Sequence, residues 1–218
     1  MPVNEKDYFD IITLLKPYQA TLVAVSKTRK SDDIQALYDL GQRDFGENYV
    51  QELLEKKDQL PQDIRWHFIG HLQSNKVKMI IPFIHLIHSI DSVSLANEVN
   101  KQSKKINQQT SILLQAHIAK EETKFGFDTE ELKAIACHEA PLLTHAKIKG
   151  LMGMASFSDD MKIVQNEFET LSTVYQKLKV KSKDINTLSM GMSGDYKIAL
   201  ECGSNMIRIG SLLFGKRD

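Results

Sequence analysis

Cysteine is almost absent from this chain: Cys137 and Cys202 are the two thiols among 218 residues. Two thiols make no disulfide framework, and neither stands in a metal-spaced pair. The five prolines are scattered, and no Gly/Ser/Pro-rich linker or low-complexity tract divides the sequence. One domain covering residues 1–218 is the simplest organisation. Net charge is zero, with 28 acidic and 28 basic residues, which argues against a nucleic-acid stripe or a membrane-seeking face. Lys101, Lys104 and Lys105 read as a solvated helix face. The most apolar window, Met79 to Ile90, is interrupted by Pro82, His85 and His88 and is too short to span a bilayer. The N-terminus lacks the basic-then-apolar form of a signal peptide. No nucleophile elbow, G-x-x-x-x-G-K loop or H-E-x-x-H helix occurs. The expectation is a soluble, cytoplasmic protein that binds neither nucleic acid nor membrane.

What the chain does hold is a repeated alternation, and 42% hydrophobic residues supply a core for it. A first helix is predicted over Glu5–Leu15. Eight strand-like runs follow: Leu22–Ser26, Asp44–Gly46, Trp66–Ile69, Leu86–Ser89, Ile112–His117, Ile148–Leu151, Thr187–Ser189 and Met206–Ile209. Helical patterns fall between them at Ser31–Leu40, Asn48–Asp58, Ser74–Ile81, Asp91–Lys105, Asp128–His138, Asp160–Leu178 and Asp195–Glu201. Asn48-x-x-Gln51 and Asp128-x-x-Glu131 read as capping boxes, and Asp91 as the cap of the helix after it. Alternating strands and helices imply a parallel sheet. Eight of them fit a single closed (β/α)8 TIM barrel with an extra N-terminal helix. The rival is an open doubly wound sheet. Its dinucleotide-binding form wants G-x-G-x-x-G after the first strand, where Ser26-Lys27-Thr28-Arg29 stands instead.

A barrel keeps its chemistry at the C-terminal strand ends. The first strand ends at Lys27, a cation where a buried strand stops. Later ends carry Gly46-Glu47-Asn48, Gly70-His71, Asp91, the region of Lys120, Gly150 to Met154, Ser189 to Gly194, and Gly210-Ser211. Barrels often hold phosphate in the loops after the last two strands. Gly210 admits backbone N–H groups, and Ser189 and Ser211 add hydroxyls; each segment taken alone is also an ordinary turn. Alternation puts Met206, Arg208 and Gly210 on one face of the last strand, so Arg208 is expected to point into the barrel. It would meet either a carboxylate or a ligand ring atom. Closure would bring Lys27 beside it. Neighbouring cations and desolvation free a lysine amine for attack on a carbonyl. Taken with its strand alone, Lys27 also reads as the start of a surface loop. His67 reads as a core histidine, and His71 as a residue of the mouth without metal spacing around it. Met152, Met154, Met190 and Met192 suit either packing round a flat ligand or core filling.

At these residues the sequence resembles the pyridoxal phosphate homeostasis proteins, small barrels similar to the N-terminal domain of alanine racemase. The matching stretches are A-V-S-K-T-R (24–29), F-G-E-N-Y-V-Q-E (45–52), W-H-F-I-G-H-L-Q-S-N-K (66–76), K-G-L-M (149–152), L-S-M-G-M-S (188–193) and R-I-G-S-L-L-F-G (208–215). The resemblance implies pyridoxal 5′-phosphate (PLP) as cofactor, held as an aldimine on Lys27. It implies Ser189, Gly210 and Ser211 at the phosphate, Arg208 at the pyridine nitrogen, and Asn48 and Met152 among the ligand contacts. One family variant has proline where His71 stands. Serine at 211 replaces a frequent threonine and keeps the hydroxyl. An arginine at the ring nitrogen restrains carbanion chemistry. Alanine racemase adds a second domain whose tyrosine is the opposite-face base, and no matching segment follows Phe214 here.

The expected function is therefore a PLP carrier in vitamin B6 homeostasis, with little or no catalysis, no metal and no assigned catalytic residue. Its expected partners are PLP and PLP-dependent apoenzymes, and its expected state is monomeric. The alternatives are an amino-acid racemase or other Schiff-base enzyme, and a phosphosugar barrel that uses its lysine without a cofactor.

Overall fold

The computed structural model describes residues 3–118, 126–135 and 143–215. Its centre is a closed barrel of eight parallel strands in sequence order. The strands are β1 (Thr21–Val25), β2 (Asp44–Glu47), β3 (Arg65–Phe68), β4 (Leu86–Ile90), β5 (Thr110–Ala116), β6 (Ala146–Gly153), β7 (Thr187–Ser189) and β8 (Met206–Ile209). The helices are α1 (Glu5–Leu15), α2 (Ser31–Asp39), α3 (Val50–Lys57), α4 (Val77–Ile80), α5 (Val93–Lys105), α6 (Thr129–Ala134), α7 (Met161–Lys181), α8 (Tyr196–Glu201) and α9 (Ser211–Phe214). The (β/α)8 expectation holds, and the open sheet is excluded by the β1–β8 pairing, in which Val23 lies opposite Arg208.

The pleat divides the core in two. Outward residues such as Ala24, Phe45, Phe68, Ile87 and Ile207 join the helices in one large apolar layer. Inward residues Val23, Leu86, Leu113, Met152 and Met206 form a separate cluster inside the barrel. The extra helix α1 buries Tyr8, Ile11 and Leu15. Its entry is tied down where the Asn4 backbone N–H donates to the Leu213 carbonyl at 2.7 Å, joining the two ends of the barrel chain.

Two predicted caps are corrected. Helix α3 starts one turn position later than expected, at Val50 with Tyr49 as N-cap and no side-chain cap bond. This frees Asn48 for another role. Helix α5 is capped by Ser92, whose Oγ accepts from the Leu95 N–H at 3.3 Å, while Asp91 turns to His71. The Asp128–Glu131 box forms in both directions at 2.8 Å. The third inter-strand helix begins as a 3-10 turn over Ser74–Lys76, and α9 adds a short helix after β8. Lys120, Cys137 and the end of the predicted sixth helix lie outside the described residues.

At the N-terminal end of the barrel, the Arg65 guanidinium bonds both carboxylate oxygens of Asp44. His67 Nε2 lies 3.0 Å from the same carboxylate. Burial alone would raise the Asp44 carboxyl, but the Arg65 and His67 bonds outweigh it and bring it down to about 2. A depressed carboxyl contributes stability above its unfolded pKa of ~3.9 and loses it as pH falls through the folded value. The wild-type protein is thus expected to lose roughly 2 kcal/mol more than Asp44→Asn between pH 5 and pH 2. Urea midpoints measured across that range check this, and parallel losses in the two proteins would contradict it.

Candidate functional site

A cavity of about 600 Å³ opens at the C-terminal end of the barrel. This is a volume typical of cofactor sites. Its polar lining comes from Lys27 after β1, Asn48 after β2, Ser193 and Gly194 after β7, and Arg208, Gly210 and Ser211 from β8 onward. Val25, Ile69 and Met154 provide apolar wall. The loops of β1 and β8 meet because those strands pair, so the amine and the guanidinium share one space.

Lys27 is half-buried and is held by a clamp behind it. Ser26, fully buried, donates from Oγ to Glu47 Oε1 at 2.6 Å. The Lys56 ammonium, on α3, donates to the Ser26 carbonyl at 2.7 Å, to Glu47 at 2.7 Å and to Glu52 at 2.6 Å. The Thr28 N–H in turn donates to Glu52. The residues on both sides of Lys27 are thereby tied to α3 and β2. Thr28 takes φ +63°, a left-handed conformation costly for a β-branched residue, which the clamp sustains. Glu47 is fully buried, and burial pushes its carboxyl up against the opposing pull of Lys56 and Ser26.

Arg208 is 4% exposed and forms the cavity floor. It donates to Ser189 Oγ at 2.6 Å and to the Gly153 carbonyl at 3.0 Å. Burial lowers the guanidinium to about 10, and nearby Asp195 pulls it back up, so it remains a cation at neutral pH. Beneath it, Ser189 Oγ lies 3.1 Å from His88 Nδ1. His88 Nε2 lies 2.8 Å from His67 Nδ1. Burial above all holds the His88 imidazole well below its usual value. Asp44, His67 and His85 bring ligand atoms within 4.8 Å of one another. Arg65 and His67 already occupy both Asp44 oxygens, so the cluster is a hydrogen-bonded network.

The structure brings Lys27, Asn48, Arg208, Gly210 and Ser211 together as expected. Two of the expected site residues stand outside the lining. Ser189 does not line the cavity, because β7 is so short that its last residue still faces the barrel interior. The chain reaches the mouth only after Gly191, whose φ of +93° and tight approach to Tyr196 and Ala199 suit glycine. The hydroxyl that this loop brings to the mouth is Ser193. Met152 likewise packs one layer down, and Met154, two residues on along the same face, reaches the cavity. Of the four methionines that suited either role, Met154 and Met192 line the cavity. No sequence signal marked the Glu47–Lys56 clamp. His71 sits half-exposed outside the lining, with Nδ1 3.1 Å from Asp91 Oδ2. Asn48 owes its position to Gly70, where a Cβ would come within 2.2 Å of the Asn48 carbonyl oxygen.

The closed barrel and the lysine at its first strand define a class. Residues 10–218 match the family model described as alanine racemase, N-terminal domain. An alanine racemase of Clostridium difficile shares the fold at 14% identity and a TM-score of 0.75, with all of this chain covering 59% of that one. Closer similarity lies elsewhere. The pyridoxal phosphate homeostasis protein of Synechocystis sp. is 40% identical over 215 residues, covering 96% of this chain and 97% of that protein. Its human counterpart is 41% identical over 217 residues, covering 94% of this chain and 79% of that protein. The chain belongs to the pyridoxal phosphate homeostasis protein family. PipY of Synechococcus elongatus, solved without PLP, superposes with a TM-score of 0.89 at 32% identity, covering 96% and 99% of the two chains. The same protein has also been solved with PLP bound, at a TM-score of 0.86.

The clamp yields a test. Lys56→Met leaves the buried Glu47 charge without its cation, a change expected to cost ~3 kcal/mol in urea unfolding. The double variant Glu47→Gln/Lys56→Met removes both charges and is expected to recover most of that loss. Simple additivity of the two single-variant losses would show that the pair is not coupled.

Proposed function

We propose that this protein binds pyridoxal 5′-phosphate covalently at Lys27 and carries it, maintaining the intracellular PLP level with little or no catalysis of its own. The observation that carries the reading is the joining of a primary amine, a buried guanidinium, two serine hydroxyls and two glycines in one cavity of suitable size. That donor set fits a phosphorylated heteroaromatic aldehyde. The aldehyde supplies an electrophilic carbon for a lysine amine to attack. Lys27 provides that amine, and the clamp behind it fixes the approach of its backbone. Ser193, Gly194, Gly210 and Ser211 gather on adjoining loops where barrels hold phosphate. Arg208 would face the ring nitrogen as a donor. Asn48 and Met154 line the remaining walls. PLP bound to PipY, a relative similar over nearly the whole chain, supports PLP as the ligand.

The carrier reading is favoured over racemisation by the lining itself. Moving a proton between the two faces of an amino acid needs an acid or base on each. Among the described lining residues, Lys27 is the one amine, Arg208 stays a cation, and Asn48, Ser193 and Ser211 are neutral. The proposal extends to a cytoplasmic monomer that delivers PLP to PLP-dependent apoenzymes. No helix among the described residues is long and apolar enough to cross a membrane.

Borohydride reduction of PLP-loaded protein followed by peptide mass mapping is expected to place the pyridoxyl label on Lys27. Lys27→Ala should lose the label and keep its fold, as seen by circular dichroism. A label on Lys120 or Lys124 in the wild-type protein would refute the assignment. Loaded protein incubated with each L-amino acid is expected to form no D-isomer. Turnover at an ordinary enzymatic rate, on the order of 1 per second or faster, would overturn the carrier reading.

A further inference from the structure

A buried polar chain runs through the barrel interior from the floor of the cavity to the opposite end. Its members are Arg208, Ser189, His88, His67 and Asp44, each at 9% exposure or less, and Arg65 caps it from outside. The contacts are Arg208 to Ser189 at 2.6 Å, Ser189 to His88 at 3.1 Å, His88 to His67 at 2.8 Å and His67 to Asp44 at 3.0 Å. A core of apolar side chains would fill this space more simply, since every buried polar atom here needs a partner.

The chemistry of the two ends fixes the direction of the chain. Arginine can only donate, so Ser189 Oγ accepts from it and still has its own proton to give. His88 Nδ1 is the group placed to accept that proton. A neutral His88 then carries its hydrogen on Nε2 and donates to His67 Nδ1. His67 in turn carries its hydrogen on Nε2 and donates to the Asp44 carboxylate, which can only accept. Starting from Asp44 and working back gives the same order. The reverse order sets the His67 lone pair against a carboxylate oxygen and leaves the Ser189 proton aimed at no acceptor. Of the arrangements with neutral imidazoles, one satisfies every contact.

We propose that Ser189, His88, His67 and Asp44 form a one-directional hydrogen-bond relay that positions the Arg208 guanidinium at the cavity floor, each imidazole accepting at Nδ1 and donating from Nε2. These are positioning residues: they act on the ligand through Arg208. The consequence is that the donor offered to a bound ring is set by groups reaching to the far end of the barrel. The relay itself stands on the contacts among these side chains, and its effect on PLP rests on the function proposed above.

The two parts are tested separately. Long-range proton–nitrogen NMR of the ligand-free, ¹⁵N-labelled full chain at pH 7 reads the imidazole tautomers directly, with His67→Gln and His88→Gln supplying the assignments. Both rings are expected to show a protonated Nε2 and a bare Nδ1. A protonated Nδ1 or a doubly protonated ring at either position overturns the relay, whatever the protein binds. In the second part, Ser189→Ala removes the joint under Arg208. It is expected to weaken PLP binding about tenfold, the size usual for the loss of one supporting hydrogen bond behind a ligand contact, and to shift the visible absorption of the loaded protein. Ser189→Thr keeps the hydroxyl and is expected to restore both. A folded Ser189→Ala with unchanged affinity and spectrum overturns the positioning role. Wild-type protein that takes up no PLP would instead sink the function proposed above and leave the NMR result to decide the relay.

Discussion

Pairing of β1 with β8 is the contact on which the site depends. It is formed by chain segments separated by nearly the whole sequence, and it closes the sheet. Without closure, Lys27 would sit on an edge strand and Arg208 on the opposite edge. With closure, the amine and the guanidinium open onto one cavity. Closure also creates an interior distinct from the layer between sheet and helices. The pleat then turns alternate residues toward that interior, as it does for Val23, Met152 and Arg208.

Two buried ionic systems flank the cavity, and they serve different ends of it. Behind Lys27, Lys56 and Glu47 hold the turn that presents the amine, and Thr28 is kept in a conformation it would not choose alone. Below the cavity, Arg208 stands on a column of hydrogen-bonded groups that ends at Asp44 and Arg65. Buried charges contribute little net stability compared with apolar packing. Their presence on either side of the same pocket ties them to the precision with which its amine and its guanidinium are aimed.

Much of the barrel could be read directly from the chain. Helix α1 and the strands β7 and β8 fall where the pattern put them, and the Asp128–Glu131 box forms as its spacing implied. Short-range rules failed where a side chain had a better partner from a distant element. Asp91 gives up its cap for His71, and Asn48 lies in the cavity instead of capping α3. Ser189 stands under Arg208 and Met152 in the interior cluster, both outside the cavity lining. Motif matching gives a residue's strand, but not how far above the barrel floor it stands.

The sequence alone determined the strand and helix alternation, the inward face of β8 and the small, polar character of the strand ends. These follow from periodicity and residue type, which are local. The tertiary structure decided which serines and methionines line the mouth, what holds the turn at Lys27 and what stands beneath Arg208. Those outcomes depend on strand stagger and on contacts across the barrel, such as Lys56 with Ser26 and His88 with Ser189. Such contacts join residues far apart in the chain, and no local pattern encodes their distance.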